Sequence, residues 1–230
     1  MLRYFNGTVF NADAEVLVNT VNCDGFMGSG IALEFMLRFP KMFADYKKLC
    51  ENGEIEVGRV SFYGDENCKV VNFPTKNHYR FPSKIEWIES GLKDFVRIHK
   101  LLGCKSIAFP KLGTSHGGLD WEDVKKLMEK YLSNLDIDVV ICLDELKEAQ
   151  GVEAKMVSFF NENYISIFGE LSKLTKRQKE ILQANVPIRR FWHLSKLEGI
   201  GDTTYSKIHK ICLEHACDKR KSTVQPSFFD

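Results

Sequence analysis

The chain has 230 residues, 44% of them hydrophobic, and a formal net charge of +1. That length suits one sizeable core plus a small second unit, and the near-neutral balance leaves bulk charge silent about partners. Seven scattered cysteines without a CxxC pair argue against a disulfide framework or a zinc site.

The first residues, Met-Leu-Arg-Tyr-Phe-Asn-Gly, lack the apolar core of a signal peptide, and no apolar stretch reaches membrane-spanning length. The expectation is a soluble cytoplasmic protein without a membrane contact. Residues 15–19 (Glu-Val-Leu-Val-Asn) form a short β-branched run, the mark of a buried strand. A glycine-rich turn over 24–30 leads into a helix beginning near Ile31, which Pro40 should stop. Further strand-like runs lie at 57–63, 69–73, 106–109 and 138–143. Ser83 with Glu86 reads as a capping box for a helix whose Ile85, Ile88, Leu92, Phe95 and Leu102 share one face. Asp120 reads as the N-cap of a helix with Val124, Leu127, Met128 and Tyr131 buried. Strands separated by helices of this length imply an α/β domain with a largely parallel, helix-flanked sheet. Ligands bind such sheets at the carboxyl ends of the strands.

Two glycine loops sit at such strand ends. Gly28-Ser29-Gly30 precedes a helix, where N–H groups and the helix dipole favour an anion. Residues 109–119 (Phe-Pro-Lys-Leu-Gly-Thr-Ser-His-Gly-Gly-Leu) form the second loop, which lacks the Lys-Ser/Thr ending of a phosphate-binding Walker motif. Two such loops suit a diphosphate.

Residues 18–22 (Val-Asn-Thr-Val-Asn), followed by Gly25, Met27-Gly28-Ser29-Gly30 and Ile31-Ala32, resemble the first ligand loop of macrodomains. Pro110, Leu112-Gly113 and residues 117–121 (Gly-Gly-Leu-Asp-Trp) resemble the second, and residues 72–76 (Asn-Phe-Pro-Thr-Lys) resemble a motif of DarG-type DNA ADP-ribosyl glycohydrolases and the related terminal ADP-ribose glycohydrolase. Over residues 1–148 the resemblance implies a three-layer α/β/α sandwich with a mixed, largely parallel sheet. It implies ADP-ribose as the ligand, and no separate cofactor or metal. Thr8 and Val9 fall at the adenine end. Asn22 matches the distal-ribose contact, and Gly28, Ser29, Gly30 and Ile31 match the first diphosphate loop. Leu112, Gly113, Thr114, Ser115, His116 and Gly117 match the second, and Lys76 the catalytic lysine. His116 is the second candidate acid or base.

Three positions depart from the family pattern: Thr8 where an acidic residue is usual, Ser29 where a lysine is usual, and Gly117 where the terminal glycohydrolase has its catalytic aspartate. The implied activity is release of ADP-ribose from a DNA base, thymidine by resemblance and single-stranded by expectation. A non-catalytic ADP-ribose reader and a glycohydrolase acting on protein carboxylates remain open beside it. Lys76 can serve as a nucleophile if its pKa is lowered, or as a proton donor while charged. Cys23 reads as a buried thiol and His78 as a solvated loop residue. Trp121, Tyr79 and Phe81 read as core packing before base stacking.

From about 149 the strand signals cease, and helices are expected around 154–168, 175–184, 189–196 and 203–217. Residues 151–230 carry 13 basic and 9 acidic side chains, against 19 and 22 in residues 1–150. Residues 197–208 (Leu-Glu-Gly-Ile-Gly-Asp-Thr-Thr-Tyr-Ser-Lys-Ile) resemble a helix-hairpin-helix element, in which Gly199 and Gly201 would offer N–H groups to a DNA phosphate. Arg189, Arg190 and Lys207 would supplement them. A tight packing turn explains the same glycines. Residues 219–230 read as a polar tail. Within it Gln225, Ser227, Phe228 and Phe229 resemble a sliding-clamp peptide. A cognate ADP-ribosyltransferase is a further possible partner.

Overall fold

The computed structural model describes residues 1–171 and 173–217. They form two compact units, one spanning Met1–Leu146 and one beginning at Lys147.

The first unit contains strands β1 (Leu2–Phe5), β2 (Val16–Val21), β3 (Ser61–Gly64), β4 (Lys69–Pro74), β5 (Ser106–Pro110) and β6 (Asp138–Cys142). Its helices are α1 (Gly30–Arg38), α2 (Pro40–Glu51), α3 (Ile85–Ile98) and α4 (Trp121–Leu132). The sheet order is β1-β6-β5-β2-β4-β3. Every pairing is parallel except β3 with β4. The period of two along each strand sends apolar side chains to both faces. Val16, Val18, Phe73, Ile107, Phe109 and Ile141 pack with Ile88, Leu92 and Phe95 of α3 and with Val124 and Met128 of α4. Val70, Ala108 and Val140 pack on the other face with Phe35 of α1 and with Met42 and Tyr46 of α2. The result is a three-layer α/β/α sandwich with a mixed, largely parallel sheet.

Several local expectations change. The run at 57–63 shortens to Ser61–Gly64, an antiparallel edge strand. Pro40 does end α1, and it also occupies the first turn of α2, where its missing N–H costs nothing. The Ser83 capping box is absent. Lys84 stands at the N-cap of α3 without a side-chain bond, the Ser83 Oγ is buried without a partner, and the Ser83 N–H donates to the Gly117 carbonyl at 2.9 Å. Asp120 does cap α4, accepting from the N–H groups of Glu122 and Asp123.

The second unit contains α5 (Gly151–Glu170), α6 (Lys176–Ala184), a 3-10 turn (Phe191–Lys196) and α7 (Asp202–Cys217). Met156, Phe160, Leu182, Phe191, Leu194, Tyr205 and Ile208 are buried. Thr175 and Gln178 form a reciprocal capping box for α6. Among the described residues, no helix is long and apolar enough to cross a membrane.

Candidate active site

Strand β2 lies between β5 and β4, all three parallel, so their carboxyl ends open onto one edge of the sheet. The loops that follow them are the three motif segments: 22–29 after β2, 75–84 after β4, and 111–120 after β5. Sheet topology alone therefore gathers them.

In the first loop Asn22 is nearly buried, and its amide is tied to the loop itself. Nδ2 donates to the Phe26 carbonyl at 2.5 Å, while Oδ1 accepts from the Asp24 N–H at 2.9 Å and the Tyr46 hydroxyl at 3.1 Å. The Tyr46 hydroxyl also reaches the Asn22 carbonyl at 2.7 Å. Asn22 thus holds the shape of its turn. Ser29 takes the extended N-cap position of α1, and Gly30 opens the helix at φ +57°, a left-handed value that suits glycine. The ring of Phe26 lies directly over Gly28, so a Cβ there would require the exposed ring to move. Ile31 is partly buried against the α1–α2 core.

The second loop is folded on its own carbonyls. Gly113 O accepts from Leu119 N–H at 3.1 Å, Thr114 O and Ser115 O from Gly118 N–H, and Gly117 O from Ser83 N–H. That suits the loop to turn N–H groups toward an anion. Thr114 Oγ1 donates to Lys111 O at 3.3 Å. Leu112 and Gly113 are buried, whereas Ser115 and His116 are exposed. A Cβ on Gly30 would stand 3.4 Å from His116 Nδ1, so the imidazole faces the first glycine loop. A Cβ on Gly117 would overlap the Gly113 carbonyl and the Ser83 hydroxyl. No acidic side chain fits that position.

Lys76 joins the loops. Its Nζ donates to the backbone carbonyl of His116 and, at 3.5 Å, to that of Tyr79. Desolvation pushes the Lys76 pKa below the usual lysine value. Cys23 reaches the Lys76 carbonyl through Sγ at 3.5 Å, and burial pushes its thiol up to about 11, so it is a poor nucleophile.

Thr8 is half-buried at the start of a 3-10 turn, and Val9 is buried. Gly7 O accepts from the N–H of Asp144, a residue held at φ 52°. Asp144 therefore comes beside the Thr8 end of the cleft, a proximity that no local signal in the sequence announces. Trp121 packs against the α3–α4 core as expected. Tyr79 and Phe81 do not. Both are exposed, and His78 is structured, stacked on Tyr79 at 4.7 Å between ring centres.

A family model described as Macro domain matches residues 18–128. The macrodomain of Mycobacterium tuberculosis DarG superposes with a TM-score of 0.60 at 44% identity, covering 62% of this chain and 97% of that one. The chain belongs to the macrodomain family. Thermosipho africanus DarTG in complex with ADP-ribose matches this macrodomain with a TM-score of 0.61 at 34% identity, over 66% of this chain and 44% of that one. The DNA ADP-ribosyl glycohydrolase of Mycobacterium tuberculosis is 45% identical over 146 residues, which is 61% of this chain and 42% of that protein. The chain thus spans less than half the length of that curated relative.

In the second unit, Gly199 lies at φ +93°, and a Cβ there would press on Ile181. Its carbonyl accepts from Gln178 Nε2 at 3.3 Å, and Ile200 between the glycines is buried. Lys207 is exposed, and Arg189 is exposed beside Glu148 at 3.4 Å. Arg190 corrects the expectation of a DNA contact. It is buried, with Nε 3.0 Å from Glu153 Oε1, and Glu153 also accepts from the Phe191 N–H at 2.8 Å. A guanidinium so enclosed is a structural cation and does not reach a phosphate. The clamp-like segment 225–229 lies outside the described residues.

Proposed function

We propose that this macrodomain binds ADP-ribose across its two glycine loops and hydrolyses the bond joining it to a DNA base, with Lys76 as the catalytic residue. The observation that carries this reading is the position of Lys76 Nζ, which bridges the loop after β4 to the His116 carbonyl of the second glycine loop. The resemblance puts the distal ribose there. The relatives named DNA ADP-ribosyl glycohydrolase support DNA as the carrier of the substrate.

The bond to be broken joins the anomeric carbon of the distal ribose to the base. Water supplies a hydroxyl to that carbon, and the departing base must gain a proton. An ammonium has three donors, and two here point at carbonyls, which orients Lys76 as a proton donor. The desolvation that lowers its pKa works toward the neutral amine that direct attack needs; the proton-donor role is the one proposed. Asn22 shapes the turn beneath the ribose, and His116 closes over the diphosphate from the Gly30 side.

The Thermosipho africanus relative is named a DNA ADP-ribosyl transferase–DNA ADP-ribosyl glycohydrolase fusion protein, which supports a cognate transferase as a partner. Gly199, Gly201, Arg189 and Lys207 are proposed to add sequence-independent DNA contact. One observation favours a second reading: Gly117 has no room for an acid, which suits a module that binds ADP-ribose without cleaving it.

Incubation with ADP-ribosylated single-stranded DNA tests the proposal. Wild type should release ADP-ribose, while Lys76→Ala should bind free ADP-ribose and release none. Equal turnover by the variant removes Lys76 from catalysis. Binding without turnover by wild type, on DNA and on modified protein alike, selects the reader.

A further inference from the structure

Residues 76–84 read Lys-Asn-His-Tyr-Arg-Phe-Pro-Ser-Lys: bases and aromatics interleaved, with no acid. The fold leaves the rings outside the core. Phe81 is 62% exposed, Phe26 51% and Tyr79 37%, and these are three of the five large aromatics exposed in the first unit. Clustering of that kind marks a contact surface, because scattered exposed rings need no explanation but a contiguous group does.

The rings form one connected patch. Phe26 packs on Tyr79 at 5.0 Å, and His78 lies 4.7 Å from Tyr79 and 5.1 Å from Phe81. The Arg80 guanidinium sits 5.2 Å from the Tyr79 ring centre, and its Nε donates to the Tyr79 hydroxyl at 2.8 Å. The patch is anchored, since Asp24 Oδ2 accepts from the Tyr79 N–H at 2.7 Å and Lys76 Nζ reaches the Tyr79 carbonyl. The proposed catalytic lysine thus shares the backbone of Tyr79 with Asp24 and lies next to the patch.

We infer that Phe26, Tyr79, Arg80 and Phe81 form a stacking platform for unpaired bases of single-stranded DNA flanking the modified nucleotide. This rests on the assignment of Lys76 to the scissile end of ADP-ribose. Adenine is assigned to the Thr8 end, so these rings are left for the target. Aromatic faces beside cations suit stacked bases and backbone phosphates. In a duplex the base faces are covered by their neighbours, and a base carrying ADP-ribose has to leave the stack to reach a pocket.

The test compares two substrates, an ADP-ribosylated dodecathymidylate and ADP-ribosylated thymidine alone, with wild type, Phe81→Ala and Arg80→Ala. Loss of one stacking partner should lower kcat/KM on the oligonucleotide about tenfold and leave the nucleoside unchanged. Equal losses on both, or none on either, overturn the platform. A second measurement does not depend on hydrolysis: photocrosslinking of an unmodified oligothymidylate carrying 5-bromodeoxyuridine. Adducts on Phe26, Tyr79 or Phe81 support the platform even if wild type hydrolyses neither substrate, an outcome that defeats the catalytic reading alone. Adducts confined to residues beyond Lys147, or no adducts, overturn it.

Discussion

The ammonium of Lys76 donates to the backbone carbonyl of His116, forty residues further along the chain. One contact thus places the candidate proton donor on the loop proposed to hold the diphosphate. On the proposed assignment, the diphosphate and the lysine would be set by the same backbone.

That geometry predicts a pH profile. Desolvation lowers the Lys76 pKa, so its charge is lost at a lower pH than for an ordinary lysine. A proton donor must be charged, so kcat should fall as pH rises through that lowered value. A nucleophile would give the opposite limb. Lys76→Ala should reduce kcat by at least about a hundredfold. Lys76→Arg should stay equally poor, because a guanidinium keeps its proton. Single-turnover release measured from pH 6 to 10 checks the sign.

Gly117 and Gly118 should separate steric need from backbone strain. Gly117→Ala drives a Cβ into Gly113 O and the Ser83 hydroxyl, so it should destabilise by about 1–3 kcal/mol and loosen the loop. Gly118 sits at φ +76° with open space around it, so Gly118→Ala should cost only about 1–2 kcal/mol of backbone strain. Calorimetric titration with ADP-ribose should show weaker binding for Gly117→Ala and near-normal binding for Gly118→Ala. Equal affinities would detach the second loop from the ligand.

Much of the sandwich was legible because β2, β4, β5 and β6 are short apolar runs buried on both faces. The edge strand β1 was not, since two of its four residues are exposed and its apolar pattern is weak. Helix α2 is not legible because Pro40 both ends α1 and opens α2, and the stop is the stronger local signal. The glycine loops show in local spacing, whereas what Lys76 touches depends on sheet order. Ser83 and Arg190 failed for one reason. Each has a local role by type, cap or phosphate contact, and each is drawn elsewhere by a distant contact. The Ser83 N–H goes to the Gly117 carbonyl while α3 starts one residue later, and the Arg190 guanidinium goes to Glu153.

The Arg190–Glu153 pair is buried, so removing one partner strands a charge. Arg190→Ala should destabilise the second unit by about 3–5 kcal/mol in denaturant unfolding. The double variant Arg190→Met, Glu153→Leu should recover most of that loss, because apolar replacement of both partners avoids the desolvation cost. A mild effect of Arg190→Ala, within about 0.5 kcal/mol, would instead match an exposed arginine.

Gly201 offers the cleanest test of DNA contact by the hairpin. A Cβ there meets nothing within 4 Å and φ is not left-handed, so Gly201→Ala should cost no more than about 1 kcal/mol, the penalty of alanine at the N-cap of α7. If the Gly201 N–H approaches a phosphate, the added methyl should nonetheless weaken DNA binding. Lys207→Ala should lower the slope of log K against log salt by about 0.9 for duplex DNA, the loss of one phosphate contact. Fluorescence anisotropy over a salt series measures both. Gly199→Ala is uninformative by comparison, since its left-handed φ and its contact with Ile181 predict unfolding of the turn whatever the ligand. Unchanged affinity and slope in Gly201→Ala and Lys207→Ala would reduce the two glycines to a packing turn between the 3-10 turn and α7.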